Sequence, residues 1–182
     1  MAVLPVVVYP DPRLKTVCAP IEPGDETIRI ARDLLDTMNS VPGVGIAAPQ
    51  IGELTRIVLV DAARNPRQDP GHGLMVLVNP VIVASDGKQV FKEGCLSVPQ
   101  YLARIRRAQC VTVEAFTPEG KPLRIDAEGF EAVVLQHEID HLDGVLFLDR
   151  IRDMKRDLYE RKSSQQSAVS SQPEDAPHAG RS

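Results

Sequence analysis

The sequence predicts an α+β fold: mostly antiparallel sheets packed around a central HExxH helix, with helices near the N- and C-terminal ends. Three observations predict it. β-Branched runs fill the middle of the chain, while helical periodicity lies toward its ends. Few of these runs alternate with helices in the βαβ manner of a doubly wound sheet. The chain has 182 residues, 43% of them hydrophobic and 25% charged, which suits one ordinary domain with a single core.

Taken in order, residues 25–38 read as a helix. Asp25 is placed to cap it, and Ile28, Ala31, Leu34, Leu35 and Met38 form an apolar stripe. The segment Asn39 to Gly43 stops it. Residues 56–60 and 74–83 read as strands, and residues 64–73 between them, with two Pro and two Gly, as a loop. Residues 109–116 and 121–126 flank Thr117 to Gly120 and read as a hairpin. Residues 130–142 are helical in pattern and end at Gly144. Residues 151–162 read as a last helix, with Ile151, Met154 and Leu158 at i, i+3 and i+7. No internal repeat is present. From Ser163 to Ser182 the only aliphatic residue larger than Ala is Val169, so 163–182 is expected to be a disordered tail and 1–162 the folded domain.

Composition excludes several classes. No stretch approaches the ~20 apolar residues of a membrane span. A net charge of −4 gives no general pull toward DNA or anionic lipid, and 4% aromatic residues are too few for a base-stacking platform. The N-terminus lacks a basic region before its apolar run, and Pro5 and Pro10 interrupt it, so a secretory signal is not expected. Three cysteines, Cys18, Cys95 and Cys110, then read as free thiols or metal ligands, in a cytoplasmic protein.

Chemistry concentrates in three segments. The first is His137 to His141 (HEIDH). Histidines at i and i+4 share one helix face at the spacing two ligands of one metal need, and Glu138 beside them can reach a water at that metal. The alternative is a pair of surface histidines. It is disfavoured because Phe130, Val133, Val134, His137 and His141 continue one apolar face. Burying two imidazoles without partners costs roughly 1–3 kcal/mol each, and a metal removes that cost. The second segment is Glu93 to Pro99 (EGCLSVP), where Cys95 is a candidate third ligand; Glu160, downstream of His141, is a rival. The third is Gly43 to Gln50 (GVGIAAPQ). It lacks the Lys-Ser/Thr ending of a phosphate loop, but the Gln50 amide could stabilise an oxyanion.

Together and in this order the three segments resemble the peptide deformylase family, whose pattern is a GxGxAAxQ loop, an EGCLS turn and a QHExDH helix. The resemblance covers about residues 3–162 and includes Tyr9 to Leu14. Ile46 stands where Leu is usual, the 64–73 loop is a few residues longer than in compact bacterial members, and residues 100–103 lack an Arg that some members place there. The resemblance implies a metal-dependent hydrolase that removes the formyl group from formyl-methionyl nascent polypeptides. Cys95, His137 and His141 would hold one divalent ion, natively Fe²⁺, with Zn²⁺, Ni²⁺ or Co²⁺ as substitutes. Glu138 would move the proton, and the Leu96 N–H and the Gln50 side chain would stabilise the oxyanion. Glu93 would pair with Arg107, and Gly45 would hold the substrate as an added strand. Val44, Phe91, Phe130, Val133 and Val134 would enclose the methionine side chain.

Two other readings compete. A zincin-type peptidase would use Glu160 instead of Cys95; a structural metal protein would close a Cys₂His₂ shell with Cys110. The segment 150–162 carries six basic and three acidic residues. It reads either as a solvated helix or as a ribosome-docking helix, as in some members of the family.

Overall fold

The computed structural model describes residues 3–161. The expected tail, 163–182, lies outside them. Two antiparallel sheets flank one central helix. Strands β1 (Gly45–Ala47), β2 (Ile57–Asp61), β3 (Leu74–Asp86), β6 (Cys110–Phe116) and β7 (Pro122–Glu128) form a five-stranded sheet in the order β1-β2-β3-β6-β7. Strands β4 (Gln89–Cys95), β5 (Val98–Arg107) and β8 (Leu158–Glu160) form a second sheet in the order β4-β5-β8. Helices are α1 (Asp25–Ser40), α2 (Gly129–Leu142) and a single turn, α3 (Met154–Asp157).

The helix α1 packs against β1 and β2 through Ile30, Leu34 and Met38, all fully buried. Its inward face is Thr27, Ile30, Ala31, Leu34, Thr37 and Met38, one step around from the expected stripe, and Ile28 is only half-buried. Asp25 is not the cap: Gly24 holds that position, and Thr27 Oγ1 accepts the Gly24 N–H at 2.9 Å. The first-turn N–H groups thus have no side-chain cap among the described residues, and the Thr27 hydroxyl ties back to the Gly24 backbone instead.

The segment expected to be a helix over 151–162 is mostly not one. Asp153 caps the α3 turn by accepting from Lys155 and Arg156, and the chain then extends into β8, pairing Leu158, Tyr159 and Glu160 with Ala103, Leu102 and Tyr101. The spacing of Ile151, Met154 and Leu158 is met by a turn followed by a strand. Pairing with β5 supplies hydrogen bonds that a solvated helix would have made internally, and it overrides a weak helical pattern.

The helix α2 has polar groups inside on every turn. Glu131, His137, Glu138, Asp140 and His141 are buried along with Phe130, Val133, Val134, Leu135 and Leu142. It packs on β1, β2 and β7, and its far side meets the β4–β5 hairpin through side chains. A helix buried on all sides must pair its polar groups internally, and that requirement builds the site.

Candidate active site

Three elements converge on one pocket. The β1 region supplies Val44, Gly45 and Gln50; the end of β4 supplies Glu93, Gly94, Cys95 and Leu96; α2 supplies Phe130, Val133, Val134, His137 and Glu138. His141 lies beneath, almost fully buried. Of the residues expected at the site, only Phe91 stands off the pocket wall. It packs against Phe130 with ring centroids 6.0 Å apart and lines a neighbouring groove.

Among the described residues, one group of donors could hold a metal ion: Cys95, His137 and His141, whose ligand atoms lie within 4.8 Å of one another. Cys95 Sγ and His141 Nε2 are 3.2 Å apart. Glu93 Oε2 contacts His137 Nδ1 at 2.8 Å, leaving Nε2 as the ligand atom. Two imidazoles and one thiol are the donors of a catalytic metal centre that keeps a position open. The residues fit such an ion. Glu160 lies exposed on β8, and Cys110 is exposed on β6 at the far groove, so neither rival shell forms. The alternation of β6 turns Cys110 outward.

A buried ion-pair network braces the ligands. The Arg107 guanidinium donates to both Glu93 oxygens, at 2.8 and 2.9 Å, and to Asp140 Oδ2. Arg150 donates to both Asp140 oxygens from the other side. The carboxyl of Glu93, which burial alone would push up, is held down at about 2 by Arg107 and His137. In the metal-free chain burial lowers the His137 imidazole, but Cys95 and Glu93 beside it prevail and raise it; burial, then the charge of His137, lowers His141. Phe147 stacks on His137 at 6.1 Å. Asp140 stands in the QHExDH pattern without an assigned role, and no motif singled out Arg150 or Phe147, whose partners come from other elements.

Glu138 is almost fully buried. Burial pushes its carboxyl up to about 7, and the charge of His137 offsets only part of that. Its Oε2 is buried with no hydrogen-bond partner among the described residues. Gln50 is fixed at both ends. Its Oε1 accepts the Ala47 N–H at 2.8 Å, and its Nε2 donates to Ser97 Oγ at 3.1 Å and faces Cys95 Sγ at 3.5 Å. Ser97 is a site residue that the sequence reading passed over. The Leu96 N–H meets no acceptor among the described residues. The pocket therefore combines a proton acceptor near neutrality, two N–H donors and an N₂S ligand set, which is equipment for hydrolysing an amide with a water.

A second buried carboxylate lies two turns earlier. Glu131, on α2, accepts the His72 backbone N–H at 2.8 Å and contacts His72 Nδ1 at 2.7 Å. This ties the 64–73 loop to α2, although the sequence reading gave His72 no role.

Comparison with known proteins agrees. A family model described as polypeptide deformylase matches residues 3–157. The chain is 45% identical over 163 residues to a peptide deformylase of Syntrophobacter fumaroxidans, covering 89% of this chain and 94% of that one. A crystal structure of a peptide deformylase from Legionella pneumophila superposes with a TM-score of 0.77 at 41% identity, over 85% of this chain and 89% of that one. A Met-Ala-Ser-bound peptide deformylase from Acinetobacter baumannii does so at 0.77 and 35%, over 82% and 99%.

Proposed function

The chain belongs to the polypeptide deformylase family, and on that premise we propose how its residues divide the work. It is a metal-dependent hydrolase that removes the N-terminal formyl group from nascent polypeptides. Cys95, His137 and His141 hold the ion, which when bound supplies Lewis acidity to the water and the formyl oxygen. Glu138 takes a proton from the attacking water as its oxygen bonds to the formyl carbon. The same carboxyl then gives that proton to the amine nitrogen as the C–N bond breaks, leaving formate and a free N-terminus. Gln50 and the Leu96 N–H donate to the oxyanion; each such donor is worth about 2.7–4 kcal/mol elsewhere.

Val44, Phe130, Val133 and Val134 enclose the methionine side chain, with Phe91 backing Phe130 and Glu93 fixing the floor through His137. Burying that side chain contributes roughly 1.5–3 kcal/mol. The strand β1 lies at the edge of its sheet, so the Gly45 backbone offers the substrate a strand to pair with. The observation that carries this reading is the Glu138 carboxylate, buried and unpaired at Oε2, in one pocket with Cys95, His137 and Gln50.

The native ion we take to be Fe²⁺, with Zn²⁺, Ni²⁺ and Co²⁺ as working substitutes, since an N₂S set accepts all of them. Iron would make the site sensitive to oxygen. Residues 1–162 act as one catalytic domain in the cytoplasm; no described helix is long and apolar enough to cross a membrane. Ribosome docking, read above from a helix, now rests on a basic groove lined by Arg104, Arg106, Arg150, Arg152 and Arg156. Co-sedimentation of the intact chain with ribosomes, lost on reversing these charges, is its test.

The function is tested by formate release from a formyl-Met peptide, with anaerobic Fe²⁺-loaded protein and Glu138→Ala beside it. Release by the wild type alone, with metal in both, supports the assignment. No release from folded, loaded wild type overturns it.

A further inference from the structure

Arg161 directly follows β8, beyond the residues 3–157 matched by the family model. Its backbone N–H donates to Gln100 O at 2.8 Å, continuing the pairing of Glu160 with Tyr101. This extension lays its side chain over the β4–β5 hairpin, against Gly94. A Cβ on Gly94 would stand 2.4 Å from Arg161 Nη2 and 2.7 Å from Leu102 Cδ2. The missing side chain at Gly94 is therefore the seat of a guanidinium, and the Gly94 backbone is also a wall of the pocket that holds Cys95 and Glu138.

Among the described residues the guanidinium makes no ion pair. Arg161 Nε and Nη2 are buried and donate to no acceptor among the described residues. Other partly or wholly buried guanidinium groups, those of Arg56 and Arg107, each meet a carboxylate. Two guanidinium nitrogens without oxygens among the described residues, packed on a glycine of the pocket wall, call for an acceptor that arrives from outside.

We propose that Arg161 binds the substrate, donating to a backbone carbonyl oxygen of the polypeptide one or two residues after the formyl-methionine. A backbone carbonyl is the fitting acceptor, because nascent chains of different sequence share only their backbone. The proposal rests on the hydrolase reading above and adds to it a specificity for chain beyond the first residue.

The test compares wild type, Arg161→Met and Arg161→Lys in the metal-loaded full chain. Met keeps an aliphatic stem over Gly94, and equal melting temperatures control for folding. Two substrates are used, formyl-Met-amide and formyl-Met-Ala-Ser-amide. With Arg161→Met, KM for the longer peptide should rise about tenfold, as expected for one charge-assisted hydrogen bond, with kcat within about twofold. Constants for formyl-Met-amide should not move, and Arg161→Lys should restore part of the loss. Calorimetric binding of Met-Ala-Ser-amide, which needs no turnover, should weaken by the same factor. An equal effect on both substrates, or no effect on either, overturns the proposal. An effect seen only with a free C-terminal carboxylate also overturns it, since the acceptor would then be that carboxylate. A wild type that releases formate from neither substrate overturns the hydrolase reading instead, whatever the variants do.

Discussion

The Glu138 carboxylate lies against the bare backbone of Gly45, where a Cβ would stand 2.5 Å from Oε1 and 2.9 Å from Cδ. Any side chain at position 45 must push the proton-transfer group out of place. We expect Gly45→Ala to keep its fold and metal but to lose roughly 10²-fold in kcat/KM, the scale of an ångström-sized misplacement. Gly43→Ala is the control. Its added carbon meets Leu96 Cδ1, a flexible side-chain end, at 3.3 Å and should cost far less. Steady-state kinetics and metal content on both variants check this.

Glu138 should also destabilise the metal-free fold. Its carboxyl is raised by burial from 4.5 to about 7, so the unfolded chain gives up this proton more readily than the folded one. The penalty is absent below about pH 4.5, grows through the interval and is complete above about pH 7. Glu138→Gln removes it. After chelation the variant should melt with wild type near pH 4.5 and several degrees above it at pH 8, from a difference on the order of 1–3 kcal/mol. Calorimetry at the two pH values reads the sign directly.

Glu93 acts in the opposite sense. Burial would raise its carboxyl, but Arg107 beside it prevails and holds it at about 2. A depressed folded value gives stability that is full above about pH 4.5 and is lost as the pH falls toward 2. Acid unfolding of the metal-free chain should steepen in that window. Arg107→Met, which leaves buried Glu93 without a guanidinium partner and Asp140 to Arg150 alone, should cost about 3–5 kcal/mol at pH 7 in urea. It should also weaken metal binding by roughly 10–100-fold.

Metal content separates the ligand sets. Cys95→Ser, His137→Ala and His141→Ala should each lose the bound ion, whereas Glu160→Gln should keep one per chain. Chelation should lower the melting temperature of the wild type, because the ion binds only the folded arrangement. Elemental analysis and a melting curve suffice.

The site was more legible in the sequence than the frame around it. His137 and His141 declared themselves because their spacing and the apolar face of Phe130, Val133 and Val134 are local properties of one helix. Gln50, Cys95 and Glu138 were legible through the three motifs in order, and Arg107 through its pairing with Glu93. The β4–β5 hairpin was not read as strands. Its link is only Leu96 and Ser97, and Lys92, Glu93, Arg104, Arg106 and Arg107 interrupt the apolar pattern. Two of those charges, Glu93 and Arg107, are buried because they satisfy each other across the strands. The error at the C-terminus has the same root: Leu158 to Glu160 is a strand only because β5, far earlier in the chain, offers an edge. Ser97 and Asp140 stand inside the EGCLS and QHExDH patterns, but their roles, like that of Arg161, come from contacts with distant segments that the patterns do not display.

Cys95 Sγ and His141 Nε2 stand 3.2 Å apart, although the two residues are 46 positions apart in the sequence. An ion gripping both would staple that length of chain into a loop, and closing a loop of this size is a large entropic step for an unfolded polypeptide. The staple is reversible, and one of its prongs is a thiolate. Oxidising that single sulfur would open it and end turnover, while Glu93 and Arg107 would still tie the hairpin to the helix through His137 and Asp140. The redox state of one atom would thus decide whether that staple is closed, and with it whether the pocket can turn over.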